Sequence, residues 1–286
     1  MRRAAVAVVA VVGVAAAVLL LGVQAQELTL PNRPDSLKYA AFGDSGTGER
    51  PEYDVANQMD LWHRRFPFDM VIMLGDNLYG SQRPADFVQK FERPYRPLLD
   101  AGVKFYASLG NHDRTSNDMY ELFNMGGVRY YTYARHNVRF VVLDSNYLDP
   151  AQLVWLETAL KDANEAWRIA YFHHPLYSDG GRHGSEVDLR VRLEPLFVKY
   201  GVKVVYSGHD HIYERIKPQK GIAYFVSGAG GELRRDLKRS ALTAAGFDQD
   251  RSFMLNEIAG DDLFFQVVSR TGQTVDQGVI HREGQP

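Results

Sequence analysis

Five short motifs, each placed directly after an apolar run typical of a buried β-strand, decide how this chain folds. In chain order they are Gly43-Asp44-Ser45-Gly46, Gly75-Asp76-Asn77-Leu78-Tyr79, Gly110-Asn111-His112-Asp113, His173-His174-Pro175 and Gly208-His209-Asp210-His211. In an α/β sheet, the loops that leave the carboxyl ends of strands converge on one crevice. The carboxylate, phenol, amide and imidazole groups of these motifs are therefore predicted to meet, and the set suits two metal ions that share one carboxylate.

The rest of the chain follows an alternating pattern. Apolar strand-like runs alternate with amphipathic segments that have helical spacing, and the chain ends in a β-rich tail. The predicted helices cover residues 51–66, 84–99 (broken by prolines), 150–163 and 186–200. A hairpin is predicted from 129–133 and 138–143, and tail strands from 253–258, 263–268 and 275–280. This order predicts a single-domain α/β sandwich with mixed β-sheets.

Composition narrows the class of protein. The chain has 286 residues, 45% hydrophobic and 24% charged, with a formal net charge of −2, which is ordinary for a globular domain. Because no strong positive charge is present, no nucleic-acid partner is expected. There are no cysteines, so disulfides, thiolate metal sites and cysteine nucleophiles are excluded. A metal ion must therefore be held by oxygen and nitrogen ligands.

The N-terminal 25 residues resemble a targeting segment. A positive start precedes an uncharged apolar run over 4–23, and Ala25 offers a small residue for cleavage. We expect residues 1–25 to be an export signal, with an uncleaved membrane anchor over 4–23 as the alternative. Residues 26–37 are polar and proline-containing and are predicted as a linker, which leaves 38–286 as the catalytic domain. Either alternative places the domain outside the cytoplasm, in the periplasm or the extracellular space.

Two further segments have weaker signals. The basic cluster at 234–239 is interrupted by acidic and apolar residues and is interpreted as a solvated loop or helix face, with gripping of an anionic substrate as the alternative. The glycine-rich run at 228–231 lacks the lysine and hydroxyl residue of a phosphate loop, so it indicates a close backbone approach beside the pocket. No G-x-S-x-G elbow surrounds Ser45, which argues against a serine hydrolase.

The acidic and histidine motifs indicate how two ions would be shared. Asp44 and Asp76 follow neighbouring strands, and two carboxylates in one crevice repel unless a cation lies between them. We assign Asp76 as the bridging ligand. His209 and His211 lie across a tight turn, and because alternate residues of extended backbone point to opposite sides, they are predicted to serve different ions.

The remaining ligands come from two other loops. His173 is nearer the strand end than His174 and is the predicted ligand, whereas His174 lines the pocket or is structural. Asn111 offers a neutral carbonyl oxygen to a divalent ion. The next residue, His112, then points elsewhere and meets the substrate, and Asp113 is expected to orient its imidazole.

One more histidine is placed for contact with a ligand. His183 is flanked by glycines in Gly180-Gly181-Arg182-His183-Gly184, which predicts an exposed loop. From there it could donate a proton to a leaving group, so we expect His112 and His183 to be the catalytic residues.

These motifs resemble those of the calcineurin-like metallophosphoesterases, which run D-x-H, G-D, G-N-H-[DE], H and G-H-x-H. Gly46 stands where the general family carries histidine. The purple acid phosphatase branch shares that departure and adds a tyrosine through G-D-x-x-Y, where Tyr79 stands here. The chain looks like the small, single-domain, tartrate-resistant type, from which it departs in the short segment 114–128. The resemblance implies a four-layer α/β/β/α sandwich.

The resemblance also implies a dinuclear centre and a reaction. A phenolate-ligated Fe(III) would be held by Asp44, Tyr79, His211 and the bridging Asp76. A divalent partner (Fe, Zn or Mn) would be held by Asp76, Asn111, His173 and His209. The implied activity is acid phosphatase chemistry on a small phosphate monoester, with a metal-bound hydroxide attacking phosphorus in line. A phosphodiesterase or nucleotidase with the same site is the alternative, and a non-catalytic phosphate-binding protein is a third hypothesis.

Overall fold

The computed structural model describes residues 27–283, so the predicted signal segment lies outside the described residues. The described strands are β1 (Leu37–Phe42), β2 (Met70–Leu74), β3 (Lys104–Ser108), β4 (Tyr131–Arg135), β5 (Val138–Val142), β6 (Trp167–Tyr171), β7 (Val204–Ser207), β8 (Tyr213–Gln219), β9 (Ile222–Ser227), β10 (Thr243–Phe247), β11 (Ser252–Ala259), β12 (Asp262–Ser269) and β13 (Thr274–His281). They form a sheet of order β13-β12-β11-β1-β2-β3 and a second of order β10-β8-β9-β7-β6-β5-β4.

Helices connect the parallel strands. They are α1 (Arg50–His63), α2 (Pro84–Phe87), α3 (Arg96–Asp100), α4 (Pro150–Lys161) and α5 (Val187–Lys199), with a π-helical turn at Val88–Glu92 and 3₁₀ turns at Thr115–Met119 and Glu121–Phe123. A proline in the first turn begins α1 to α4, where its missing N–H costs nothing. Among residues 27–283, no helix has both the length and the apolar character needed to cross a bilayer.

Three apolar clusters define the layers. The central cluster lies between the sheets and includes Ile72, Phe140 and Phe225. One outer cluster packs α1, through Trp62, against the first sheet, and the other packs α4 and α5 against the second. Each large side chain buried in this way contributes about 1.5–3 kcal/mol of hydrophobic stabilisation. The predicted α/β/β/α sandwich with mixed sheets is therefore confirmed.

The parallel strands set the position of the polar loops. In the first sheet β1, β2 and β3 run parallel, and in the second β5, β6, β7 and β9 do so. The predicted ligands follow the carboxyl ends of five of these strands by two or three residues, at Asp44, Asp76, Asn111, His173 and His209. The two sheets thus bring their loops to the same edge of the sandwich.

The local structure agrees with some of the predictions and differs from others. The β4–β5 hairpin is confirmed, with His136 in the turn at φ 49°. Strands β8 and β10 were not predicted. The segment predicted as a linker lies along the first sheet, where Leu30 is buried and the backbone N–H groups of Asn32 and Arg33 donate to the Glu257 carboxylate, each at 2.6 Å.

Candidate metal centre

Sharp backbone turns place three of the predicted ligands. Asp44, Asp76 and His209 have φ of 57°, 50° and 69°, a left-handed conformation that side chains other than glycine rarely adopt. Each such residue costs about 1–3 kcal/mol and persists because the surrounding loops impose it. At Gly110, a Cβ would lie 2.1 Å from Asp76 Oδ1, so only glycine lets the third loop approach the second. The strain concentrates at the edge where the loops meet.

One set of donors surrounds the tyrosine hydroxyl. The Tyr79 hydroxyl oxygen lies 3.2 Å from Asp44 Oδ1 and 3.2 Å from His211 Nε2. His211 Nε2 is itself 3.4 Å from Asp44 Oδ1. Three side chains from three separate loops thus converge on one point. We call Asp44, Tyr79 and His211 the phenol group.

A second set of donors surrounds His173. Its Nε2 atom lies 3.0 Å from Asn111 Oδ1 and 3.1 Å from His209 Nδ1. Its other nitrogen, Nδ1, is 2.9 Å from the Leu74 carbonyl oxygen, which fixes the tautomer and leaves Nε2 free to face the site. We call Asn111, His173 and His209 the imidazole group.

Asp76 lies beside both groups. Its Oδ2 atom is 3.5 Å from His173 Nε2, and the ligand atoms of Asp44, Asp76 and His173 all lie within 4.8 Å of one another. Its Oδ1 atom accepts the backbone N–H of His112 at 2.8 Å. The structure therefore brings together all seven residues proposed as metal ligands from the sequence, with Asp76 in the middle.

The protonation preferences of these side chains fit a cation. Burial, and then the charge of Asp76, raise the pKa of Asp44 well above its usual value, because two carboxylates are crowded without a cationic partner. Burial likewise lowers the pKa of His173 and His209, which keeps the imidazoles neutral and able to donate a lone pair. Burial and the carboxylate of Asp44 raise the pKa of Tyr79, so a strong cation is needed to ionise it. The donor set fits a dinuclear metal centre.

The glycine at position 46 and the tyrosine at 79 belong to one arrangement. A Cβ at Gly46 would lie 1.8 Å from the Asn77 carbonyl oxygen, so no side chain fits there. The backbone N–H of Tyr79 donates to the Gly46 carbonyl at 2.9 Å, which draws the second loop over the first. The Tyr79 phenol therefore reaches the site only because position 46 has no side chain.

The two histidines expected to meet the substrate lie at opposite edges of the site. The His112 ring centroid is 4.8 Å from that of Tyr79, on the side of the phenol group. The His183 ring centroid is 4.0 Å from that of His209, on the side of the imidazole group. Both are exposed, so both are accessible to a molecule that enters the crevice.

The expectation that Asp113 orients the His112 ring is wrong. Its carboxylate accepts the backbone N–H groups of Gly110, Asn77 and Leu78 at 2.9, 3.0 and 3.1 Å. Burial, with a contribution from Asp76, raises the pKa of Asp113 to about 7. Asp113 instead ties the Asn111 loop to the Tyr79 loop, because loop amides shielded from water need an acceptor, whereas the exposed His112 imidazole can bond to water.

His174 lies closer to the centre than the sequence indicated. Its ligand nitrogen is within 4.8 Å of those of His173 and His209, and its Nδ1 atom is 2.8 Å from Ser145 Oγ. The only sequence signal for this position was the pair of histidines before Pro175. From the sequence, His174 was expected either to line the pocket or to be structural. A cavity of about 450 Å³ begins beside His174 and Asn111 and extends past Tyr147 toward the start of α5.

Comparison with known proteins agrees with this class of site. The chain belongs to the calcineurin-like phosphoesterase family, whose model matches residues 37–213. This family hydrolyses phosphoric esters, so the chain is a metallophosphoesterase.

Within the family, the chain is related to purple and tartrate-resistant acid phosphatases. It is 27% identical to tartrate-resistant acid phosphatase type 5 of Oryctolagus cuniculus over 238 residues, which is 68% of this chain and 73% of the relative. A shorter stretch of 79 residues, 26% of this chain and 17% of the relative, is 43% identical to Fe(3+)-Zn(2+) purple acid phosphatase 12 of Arabidopsis thaliana. The solved structure of purple acid phosphatase PPD1 from yellow lupin shares the fold, with a TM-score of 0.72 and 18% identity over 88% of this chain and 55% of that one.

Proposed function

We propose that the chain is a dinuclear-metal acid phosphatase that hydrolyses small phosphate monoesters. The observation that carries this proposal is the division of the donors into the phenol group and the imidazole group, with Asp76 beside both. The seven donors exceed the six of an octahedral ion, and they gather around two different atoms, the Tyr79 hydroxyl oxygen and His173 Nε2. Two ions that share a carboxylate are the arrangement used for in-line displacement at phosphorus.

The ligand types suggest which ion belongs to which group. An Fe(III) ion would be held by Asp44, Tyr79, His211 and Asp76, since hard anionic oxygens suit a hard trivalent ion. A divalent Fe, Zn or Mn ion would be held by Asp76, Asn111, His173 and His209. When bound, such a pair supplies Lewis-acid activation of water at acid pH and neutralises the charge of the phosphate.

The chain itself contributes orientation and proton transfer. His112 and His183 flank the donors, so their N–H groups can bind phosphoryl oxygens from two sides. Hydrolysis breaks the bond between phosphorus and the ester oxygen, and the departing alkoxide needs a proton. We assign that proton to the imidazolium of His183, with His112 as the alternative.

A second candidate function is phosphodiester or nucleotide hydrolysis. The cavity of about 450 Å³ beside Asn111 and His174 has room for a second ester substituent. Comparing p-nitrophenyl phosphate with its bis-ester on the iron- and zinc-reconstituted protein distinguishes the two functions. We expect faster turnover of the monoester, with an optimum at acid pH. Greatest activity above pH 8 would count against the Fe(III) assignment.

A non-catalytic role is tested by the same preparation. A protein that holds no metal, and hydrolyses neither ester after reconstitution, would replace the enzymatic proposal with a binding function. His112→Asn and His183→Asn should each lower kcat by about 10²-fold or more if they bind phosphoryl oxygens or transfer the proton. His63→Asn is the matched control, because His63 packs against Phe68, outside the site.

We also propose that the domain is exported. The proposal rests on the charged and apolar pattern of residues 1–25, and the two alternatives differ in where the mature chain begins. N-terminal sequencing of the protein recovered from its native producer should find Gln26 first. Recovery in the membrane fraction with residues 4–23 still attached would indicate the anchor instead.

A further inference from the structure

The loop over residues 232–240 joins the two histidine loops of the site. The backbone N–H of Arg234 donates to the His211 carbonyl at 2.9 Å. Farther along the loop, the Lys238 N–H donates to the Asp179 carbonyl at 3.1 Å. The Ser240 N–H donates to the Asp179 carboxylate at 2.6 Å. Asp179 begins the segment that carries His183. Arg234 is consequently held between the phenol group and one of the predicted catalytic histidines.

The approach to this loop is close on both sides. The glycine-rich run at 228–231 lies against the first ligand loop, as predicted, because a Cβ at Gly231 would be 2.2 Å from the Ser45 carbonyl oxygen. A Cβ at Gly181 would be 2.6 Å from the Asp236 carbonyl oxygen. Glycines therefore let the loop carrying Arg234 pack tightly against its neighbours.

The Arg234 guanidinium has no partner among residues 27–283. Its Nε atom is buried and forms no hydrogen bond, and the group makes no ion pair there. Its neighbours are engaged: Arg235 donates to the Gln249 carbonyl at 3.2 Å, and Arg239 to the Gly246 carbonyl at 2.8 Å. A buried donor left without an acceptor is costly, and a bound water, ion or ligand that supplies the acceptor is one explanation for it.

The positive charge of Arg234 acts on the site. After burial, it is the largest cause of the lowered pKa of His211, and it also helps to lower that of His183. The carboxylates of Glu232 and Asp210 oppose its effect at His211, and Asp210 opposes it at His183. The backbone contacts of its loop with His211 and Asp179 place Arg234 between the two edges of the centre.

We propose that Arg234 binds the phosphoryl group of the substrate and makes the site selective for phosphate monoesters over diesters. A guanidinium matches phosphate oxygens as a planar, bidentate fork. A monoester presents three free phosphoryl oxygens and can carry a second negative charge, whereas a diester has two free oxygens and one charge. Within the basic segment 234–239, for which the sequence left a solvated loop and an anion grip open, Arg234 is therefore assigned the second role. This inference rests on the proposed phosphatase function, which it makes more specific.

The test measures phosphate binding without turnover. Titration calorimetry of metal-loaded wild type, Arg234→Gln and Arg234→Lys with inorganic phosphate should show about 10- to 100-fold weaker binding for Gln, the loss of one charge-assisted contact. Lys should lose about 5- to 10-fold, because it keeps the charge without the fork. Arg235→Gln is the matched control and should bind phosphate as wild type does. Metal content and the visible spectrum should not change in any variant.

Kinetics supply a second reading. In Arg234→Gln, KM for p-nitrophenyl phosphate should rise by the same factor as the phosphate dissociation constant, with the bis-ester changed by less than about 3-fold. An unchanged phosphate dissociation constant in Arg234→Gln would overturn the inference. If Arg234→Gln loses its metals, the phosphate affinity of Arg234→Lys becomes the test. Wild-type phosphate affinity in Arg234→Lys would then overturn the inference. A wild type that binds two metals and phosphate yet hydrolyses neither ester would refute the proposed function and leave the Arg234 measurement valid.

Discussion

The phenol group and the imidazole group sit side by side at one edge of the sandwich, yet they are chemically unlike. The phenol group combines a carboxylate and a phenol with one imidazole, whereas the imidazole group has two imidazoles and a neutral amide. The ligand atoms at the two neighbouring positions therefore differ in hardness and in charge. If the site holds two ions as proposed, this difference predicts that ligand type would favour a different ion at each position.

Asp76 is the residue on which the comparison depends, because it lies beside both groups. We expect Asp76→Asn to reduce metal content at both positions and to lower kcat by about 10³-fold or more. Asparagine tolerates the left-handed backbone at this position, so the fold should survive. Elemental analysis and p-nitrophenyl phosphate assays measure the effect. Asp100→Asn, on the exposed end of α3, is the control. Retention of both ions in Asp76→Asn would exclude a bridging role.

Chelation should separate the two groups. A divalent ion held by neutral imidazoles and an amide should leave before a trivalent ion held by a phenolate and carboxylates. A mild chelator is expected to lower activity by about 10²-fold while leaving the visible absorption band that a Tyr79 phenolate bound to Fe(III) would give. Addition of Zn²⁺ or Mn²⁺ should restore turnover. If the band and the activity disappear together, the two groups do not differ in affinity as proposed.

Tyr79 supplies the most specific signature of the phenol group. Tyr79→Phe should remove the visible absorption band. It should also weaken iron binding by at least about 10-fold, because even residues that only hydrogen-bond to a metal ligand contribute that much to metal affinity. The divalent ion should remain, because Tyr79 is not among the donors around His173. Tyr130→Phe, at a ring that packs against Trp155, is the control. An unchanged spectrum would reject Tyr79 as a ligand.

Asp113 connects the loops of the two groups and should affect stability more than chemistry. Its carboxylate accepts amides from the Asn111 loop and from the Tyr79 loop, and Asp113→Asn leaves at least one of them without an acceptor. The expected cost is about 1–3 kcal/mol, which lowers Tm by several degrees. Differential scanning calorimetry of the metal-loaded protein measures this. No change in Tm would mean that the two loops are held together by other contacts.

Burial of Asp113 also predicts a pH dependence of stability in the metal-free protein. In the metal-free protein the pKa of Asp113 is about 7, above its value of about 3.9 in an unfolded chain. A raised pKa stabilises the fold where the group is protonated, and this contribution is lost as pH rises from about 4 to 7. The unfolding free energy of wild type, relative to that of Asp113→Asn, should fall over that range. A constant difference would contradict the raised pKa.

The positions of the ligands were predictable because each signal is local. An apolar run, a glycine and a polar residue mark each strand end, and the behaviour of α/β sheets then brings such ends together. Strand β8 gave no such signal, because Tyr213–Gln219 carries charges and a proline, and β10 is short and rich in small residues. Both strands depend on pairing with neighbours, and both have irregular register.

Side-chain partners within the site were harder to predict. Asp113 follows His112 in sequence, yet its acceptors are satisfied by backbone amides up to 36 residues away. Arg234 was one of several basic residues in its segment, and only the packing of three loops shows that it lacks a partner. Local patterns specify which loops carry chemistry, but the contacts between loops decide which atoms face each other.

The close packing at Gly46 restricts which substitutions the site can accept, both in protein engineering and in evolution. Any side chain placed there runs into the peptide group that precedes Leu78. Restoring the histidine that the wider family carries would therefore require the second loop to be rebuilt, and discarding the tyrosine alone would leave one donor missing. A mutational library that varies positions 46 and 79 independently should yield mostly inactive clones. Functional exchange between the two ligand solutions is expected only where both positions and the intervening backbone change together.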